Sequence, residues 1–112
     1  MDADKFRQAI AERKERVNAR DIEDWKWLLK SPPGRRQFWD LMKFAGTFAS
    51  SFSADNAHVT SHNEGMRLVG NRILERIHQA SPEAYSQMRR EAVSLEAEEE
   101  KWLAQKRKEL ED

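Results

Sequence analysis

Residues 31–52, SPPGRRQFWDLMKFAGTFASSF, decide the fold. They hold a helix stop, a helix start and the most apolar helical face in the chain. Ser31-Pro32-Pro33-Gly34 ends whatever helix precedes it, because proline disfavours the α conformation at the residue before it and Gly34 permits positive φ. Arg35 and Arg36 then open a new helix. Phe38, Leu41, Met42, Ala45, Phe48, Ala49 and Phe52 follow at helical spacing and point to a core, with Trp39 and Phe44 widening the stripe.

Towards the N-terminus, Ile22, Trp25, Leu28 and Leu29 form a second apolar face. Beyond it the stripe thins to Phe6, Ile10 and Val17, set among Lys5, Arg7, Arg13, Lys14 and Arg16. Such a helix is solvated or awaits a partner. Asp2 or Asp4 suits its start, and Asn18 to Asp21 either continue it or mark a bend.

Towards the C-terminus, residues 50–62 (SSFSADNAHVTSH) are polar and read as a loop. Ser61 and Glu64 have capping-box spacing for the helix that follows. Met66, Val69, Ile73 and Ile77 line its core side with Leu74 beside them. Gly65 and Gly70 lie in that helix, where each costs ~1 kcal/mol against alanine, so close approach of another backbone is expected at both. Ser81-Pro82-Glu83 reads as N-cap, N1 and an acidic first turn. The last helix carries Tyr85, Met88, Ala92, Leu95, Trp102 and Leu110 on a heptad-like seam. Glu99 and Lys106 interrupt that seam, and residues 81–112 hold 15 charges in 32 positions, so the far half is expected to project or to pack on another chain.

The whole chain has 112 residues, with 20 basic and 20 acidic side chains and no net charge. Nothing alternates with the period of a strand, and no Asn-Gly or Asp-Gly turn occurs. The pattern is all-α: a small helical bundle core with long charged N- and C-terminal helices. The expected divisions are 1–21, a charged helix; 22–90, the core; and 91–112, a charged extension. The absence of cysteine excludes disulfides and thiolate chemistry. No apolar run approaches the ~20 residues of a membrane span. The first residues have no apolar signal core, so secretion by that route is not expected. A neutral balance argues against a general nucleic-acid binder. Arg7, Arg13, Lys14, Arg16 and Arg20 do bias the first helix towards basic, with Glu12 and Glu15 interrupting.

No constellation rises to chemistry. His58 and His62 are one helical turn apart, with Asp55 or Glu64 as conceivable third ligands, but the pair lacks an H-E-x-x-H pattern and no metal is expected. Residues 65–72 lack the Lys-Ser/Thr pair of a phosphate loop. Gly34-Arg35-Arg36 at a helix start either holds an anion or pairs with carboxylates such as Asp24, Asp40 or Glu64; ion pairing is favoured. Glu96, Glu98, Glu99 and Glu100 belong to a solvated face, not to the cleft that acid–base catalysis needs. Neither enzyme activity nor a cofactor is expected. Trp25 and Trp27 cannot share a helix face, so one of them, or Trp102 on the charged tail, is open to a partner.

One longer pattern goes further. It runs Asp24-Trp25, Leu28-Leu29, Pro33-Gly34-Arg35-Arg36, Phe38-Trp39, Leu41-Met42, Phe52, Asn63-Glu64-Gly65, Arg67, Val69-Gly70, Leu74, Ile77, Ser81-Pro82-Glu83, Tyr85 and Met88. This resembles a family of small proteins encoded in the structural-gene clusters of tailed bacteriophages, typically short-tailed ones, with a member from a Bordetella phage. The resemblance covers residues 24 to about 90 and leaves both terminal helices outside. It implies a virion protein made in the bacterial host cytoplasm, without catalysis. That protein would sit at the portal or head–tail region or in an internal core ejected with DNA. Its alternatives are a transient scaffolding protein and a nucleic-acid-binding accessory protein. The implied partners are other phage structural proteins and further copies of the chain; DNA contact is not favoured. Within the motif, Arg35, Arg36, Glu64 and Arg67 suggest an ion-pair network or anion site. Trp25, Trp27, Trp102, Leu103 and Leu110 are the candidate partner interface.

Overall fold

Four helices form, each where a cap and an apolar face coincide. The computed structural model describes residues 2–49 and 56–112. The order is α1 (Ala3–Leu29), α2 (Pro32–Phe44), α3 (Ala57–Ala80) and α4 (Ala84–Glu111), with no strand among the described residues. The protein is all-α.

The Asp2 carboxylate accepts from the backbone N–H of Asp4 and Lys5 and caps α1. α1 then runs without a bend through Asn18–Asp21 to Leu29. Ser31 is extended, as a residue before proline should be, and its hydroxyl accepts from Gly34 N–H at 3.1 Å. That makes Ser31 the N-cap of α2 and places both prolines in its first turn, so the helix starts three residues before the arginine pair. α2 stops at Phe44 rather than running on to Phe52. Thr47 N–H donates to Met42 O and Gly46 N–H to Lys43 O, with Gly46 at φ 77°. This Schellman closure needs the left-handed residue that glycine supplies. The early stop leaves Leu41, Phe44 and Phe48 exposed, against the expectation that this stripe is wholly core. Phe52 lies outside the described residues.

The second half of the expected loop at 50–62 is helical, and residues 50–55 lie outside the described residues. Asn56 accepts from the N–H groups of His58 and Val59, so α3 begins at Ala57. Ser61 and Glu64 are therefore interior to α3 and form no capping box. The Ser81-Pro82-Glu83 start is also displaced. Ser81 ends α3, its carbonyl accepts from Ala84 N–H, and α4 starts at Ala84 with no side-chain cap.

The core is small. Leu29, Met42, Ile77, Ala80, Ala84 and Met88 are buried, with Ile22, Trp25, Phe38, Trp39, Ile73 and Leu74 packed around them. The pairings fix the helix directions. Trp25 lies on Phe38 with ring centroids 4.6 Å apart, so α1 folds back antiparallel on α2. Arg35 pairs with Glu91 while Trp39 meets Tyr85, so α4 is also antiparallel to α2. α1 and α4 thus run in the same sense but displaced, and their free ends leave the core in opposite directions. At 1.5 Å per residue they measure about 40 and 42 Å, and with their free ends directed apart the molecule is elongated, 83 × 40 × 17 Å.

Candidate interaction surface

Arg35 is the buried charged residue among the described ones. Its side chain is 8% exposed. Nε and Nη2 grip the Glu91 carboxylate at 2.9–3.1 Å, and Nη1 donates to the carbonyls of Leu29 at 2.9 Å and Lys30 at 3.0 Å. Those carbonyls are orphan acceptors at the C-terminal end of α1, where positive charge is favoured. One guanidinium therefore closes α1, roots α2 and holds α4. Every polar atom of this joint is used inside the fold, so it is a structural ion pair and offers no vacant anion seat.

The network expected from the sequence does not assemble. Arg35 pairs with Glu91 rather than with Asp24, Asp40 or Glu64; Arg36 is exposed in the cleft beside Glu91, and Glu64 and Arg67 are exposed on α3. α1 and α3 are instead joined by Arg76, which meets Asp21 at 2.8 Å. The sequence held a signal for Glu91: it lies one turn beyond Met88, beside the apolar seam. Its partner, 56 residues away, is not marked by any local spacing.

The two interior glycines differ. Gly70 is buried, and a Cβ there would overlap Thr47 Oγ1 and lie 3.0 Å from the Ala45 methyl. Gly70 lets α3 approach the turn after α2. Among the described residues a Cβ on Gly65 would meet nothing within 4 Å, so none of them makes the close packing expected there.

The tryptophans separate as helical geometry requires. Trp25 is half-buried against Phe38 and serves the core, so it is not free for a partner. Trp27 is 72% exposed. Trp39 stacks on Phe48 at 4.9 Å and meets Tyr85. Trp102 is 59% exposed, with only Lys106 Nζ lying over its ring at 5.8 Å.

The remaining surface is dominated by two arms. Every residue of α1 from Ala3 to Arg20 is exposed, including Phe6, Ile10 and Val17. Every residue of α4 from Val93 onwards is exposed, including Leu95, Trp102, Leu103 and Leu110. Between the root of the second arm and α2 lies an open cleft of about 880 Å³, with Trp39, Phe48 and Tyr85 on one part and Arg36, Lys43 and Glu96 on another. Among the described residues no group of three His, Cys, Asp or Glu gathers to hold a metal ion. His58 and His62 are exposed on α3, and Asp55 lies outside the described residues. No described helix is long and apolar enough to cross a membrane.

The fold and surface define a small helical protein whose distinctive features are exposed amphipathic helices. Residues 25–90 match the Bbp19-like phage proteins, and the chain belongs to that family. The matched region begins at Trp25 and ends at Arg90, so it takes in most of the packed middle of the molecule, stops one residue short of Glu91 and excludes both arms. No curated protein and no solved structure matches the chain.

Proposed function

We propose that this phage protein is a non-enzymatic particle component that oligomerises or docks on a symmetric partner. Its place is the portal or head–tail region or the internal core ejected with DNA. Residues 22–90 act as the core unit, and 1–21 and 91–112 as contact arms. The observation that carries this reading is the exposure of Trp102, Leu103 and Leu110 on a regular helix. Each large apolar side chain, once fully covered, contributes about 1.5–3 kcal/mol, and tryptophan is a frequent anchor of interfaces. Trp27 adds an apolar contact at the middle.

Mass spectrometry of purified mature particles and of proheads tests this. The protein is expected in mature particles. Presence in proheads alone would replace this reading with a scaffolding role. Deleting residues 96–112 is expected to leave a folded chain that fails to enter particles. Normal incorporation of the truncated chain would refute the role of the arm.

A further inference from the structure

The zero net charge of the chain hides an uneven distribution. Residues 3–20 carry six basic against three acidic side chains. Residues 95–112 carry seven acidic against four basic. These are the two arms, equal in length, opposite in sign and directed to opposite ends of the molecule. Both present a thin apolar stripe to solvent. We propose that the arms are complementary halves of one interface: the α1 arm of one copy pairs in parallel with the α4 arm of the next.

The parallel sense follows from the fold. α1 and α4 run in the same direction, with the free end of α1 at one pole and that of α4 at the other. Two copies laid end to end overlap these arms with their chains running the same way. One register aligns two apolar pairs and two opposite-charge pairs, against the like-charge pairs Glu15 with Glu100 and Arg16 with Lys101. With Ile10 level with Leu95, Arg13 and Lys14 come level with Glu98 and Glu99, and Val17 with Trp102. Glu99 and Lys106, which interrupt the α4 seam for self-pairing, become the residues that read the partner helix. A single buried or flanking polar pair is a known means of fixing helix register.

Such a contact uses two different surfaces of one chain. It leaves an unused arm on each end of a dimer, so copies add head to tail into a closed ring or an open filament, according to the rotation between neighbours. The inference deepens the particle-component reading by naming a second copy as the partner of both arms.

Sedimentation velocity on the full chain, with two variants, tests it. The wild type is expected to form species larger than the monomer that shrink as salt rises, since exposed charge pairs are screened over ~10 Å at 0.1 M. Val17→Glu spoils the α1 arm, and Trp102→Glu spoils the α4 arm. Both positions are solvent-exposed in the single chain, and circular dichroism is expected to show both variants folded. Each variant alone should be monomeric. Mixed in equal amounts they should form a one-to-one dimer, because one intact arm of each kind remains. A wild type that stays monomeric up to its solubility limit, a variant that dimerises by itself, or a mixture that stays monomeric would each overturn the pairing. A chain monomeric in solution yet present in mature particles would refute this interface and leave the particle role standing. A chain that assembles through its arms yet is missing from particles would do the reverse.

Discussion

α4 contains both halves of an instructive contrast. Over Ala84–Glu91 its seam, with Ala84 and Met88 buried, lies against α2 and α3. From Leu95 onwards the same face continues, interrupted by Glu99 and Lys106, and its apolar residues Trp102 and Leu110 are exposed. The sequence is equally helical in both halves. What changes is the opposing surface: α2 begins at Pro32, which lies near Ser94 and Leu95, and every residue of α4 from Val93 onwards is exposed. Helix propensity makes the rod, but burial depends on a neighbour. α1 repeats the lesson in mirror order, with a bare half first and a packed half from Asp21 to Leu29.

The contrast can be broken most forcefully at the joint. Arg35→Ala leaves Glu91 and two helix-terminal carbonyls without their donor, and loss of a buried pair's partner costs about 3–5 kcal/mol. Glu91 is partly solvated, so the lower end of that range is expected, read as a lower urea midpoint. An unchanged midpoint would mean that the middle and the arms are held no differently. Gly70→Ala comes next. Its methyl must displace Thr47 or Ala45, and overpacking of this kind costs about 1–3 kcal/mol in thermal melts. Gly65→Ala, in the same helix, is expected to stabilise by up to about 1 kcal/mol, because it adds helix propensity in open space. Equal effects at the two glycines would contradict the packing of α3 on the turn after α2. The smallest expected effect is Trp102→Ala, within about 0.5 kcal/mol in the isolated chain, as for surface positions without special contacts. A large loss of stability there would show that the α4 arm belongs to the core of the monomer.

Much of the architecture was legible because it is local. Proline, serine and apolar spacing located α1, α2 and the span of α4 to within a few residues. The misplacements have physical causes. Asn56 is as good a cap as Ser61, and capping-box spacing alone cannot choose between two candidates when the intervening residues tolerate a helix. Ser81-Pro82 carries the start signal, yet the chain uses those residues to turn. Gly65 and Gly70 are alike in sequence; only the position of Thr47 separates them. The Arg35–Glu91 pair was beyond local reading because a contact between distant segments leaves no spacing to detect. The arms were legible as charged helices, whereas their opposite directions required the pairings of α2 with α1 and α4.

The Arg35 joint has a mechanical consequence. Any load applied to the two arms, pulling them apart along the long axis, enters the middle through α1 at one side of α2 and leaves through α4 at the other. That load is parallel to the helix axes, so the packed faces are sheared together and must yield together, instead of peeling one contact at a time. The guanidinium, bonded at once to the last carbonyls of α1 and to Glu91 of α4, sits in that slip plane as a transverse pin. A molecule of this design transmits tension from end to end while remaining only one helix thick at each tip.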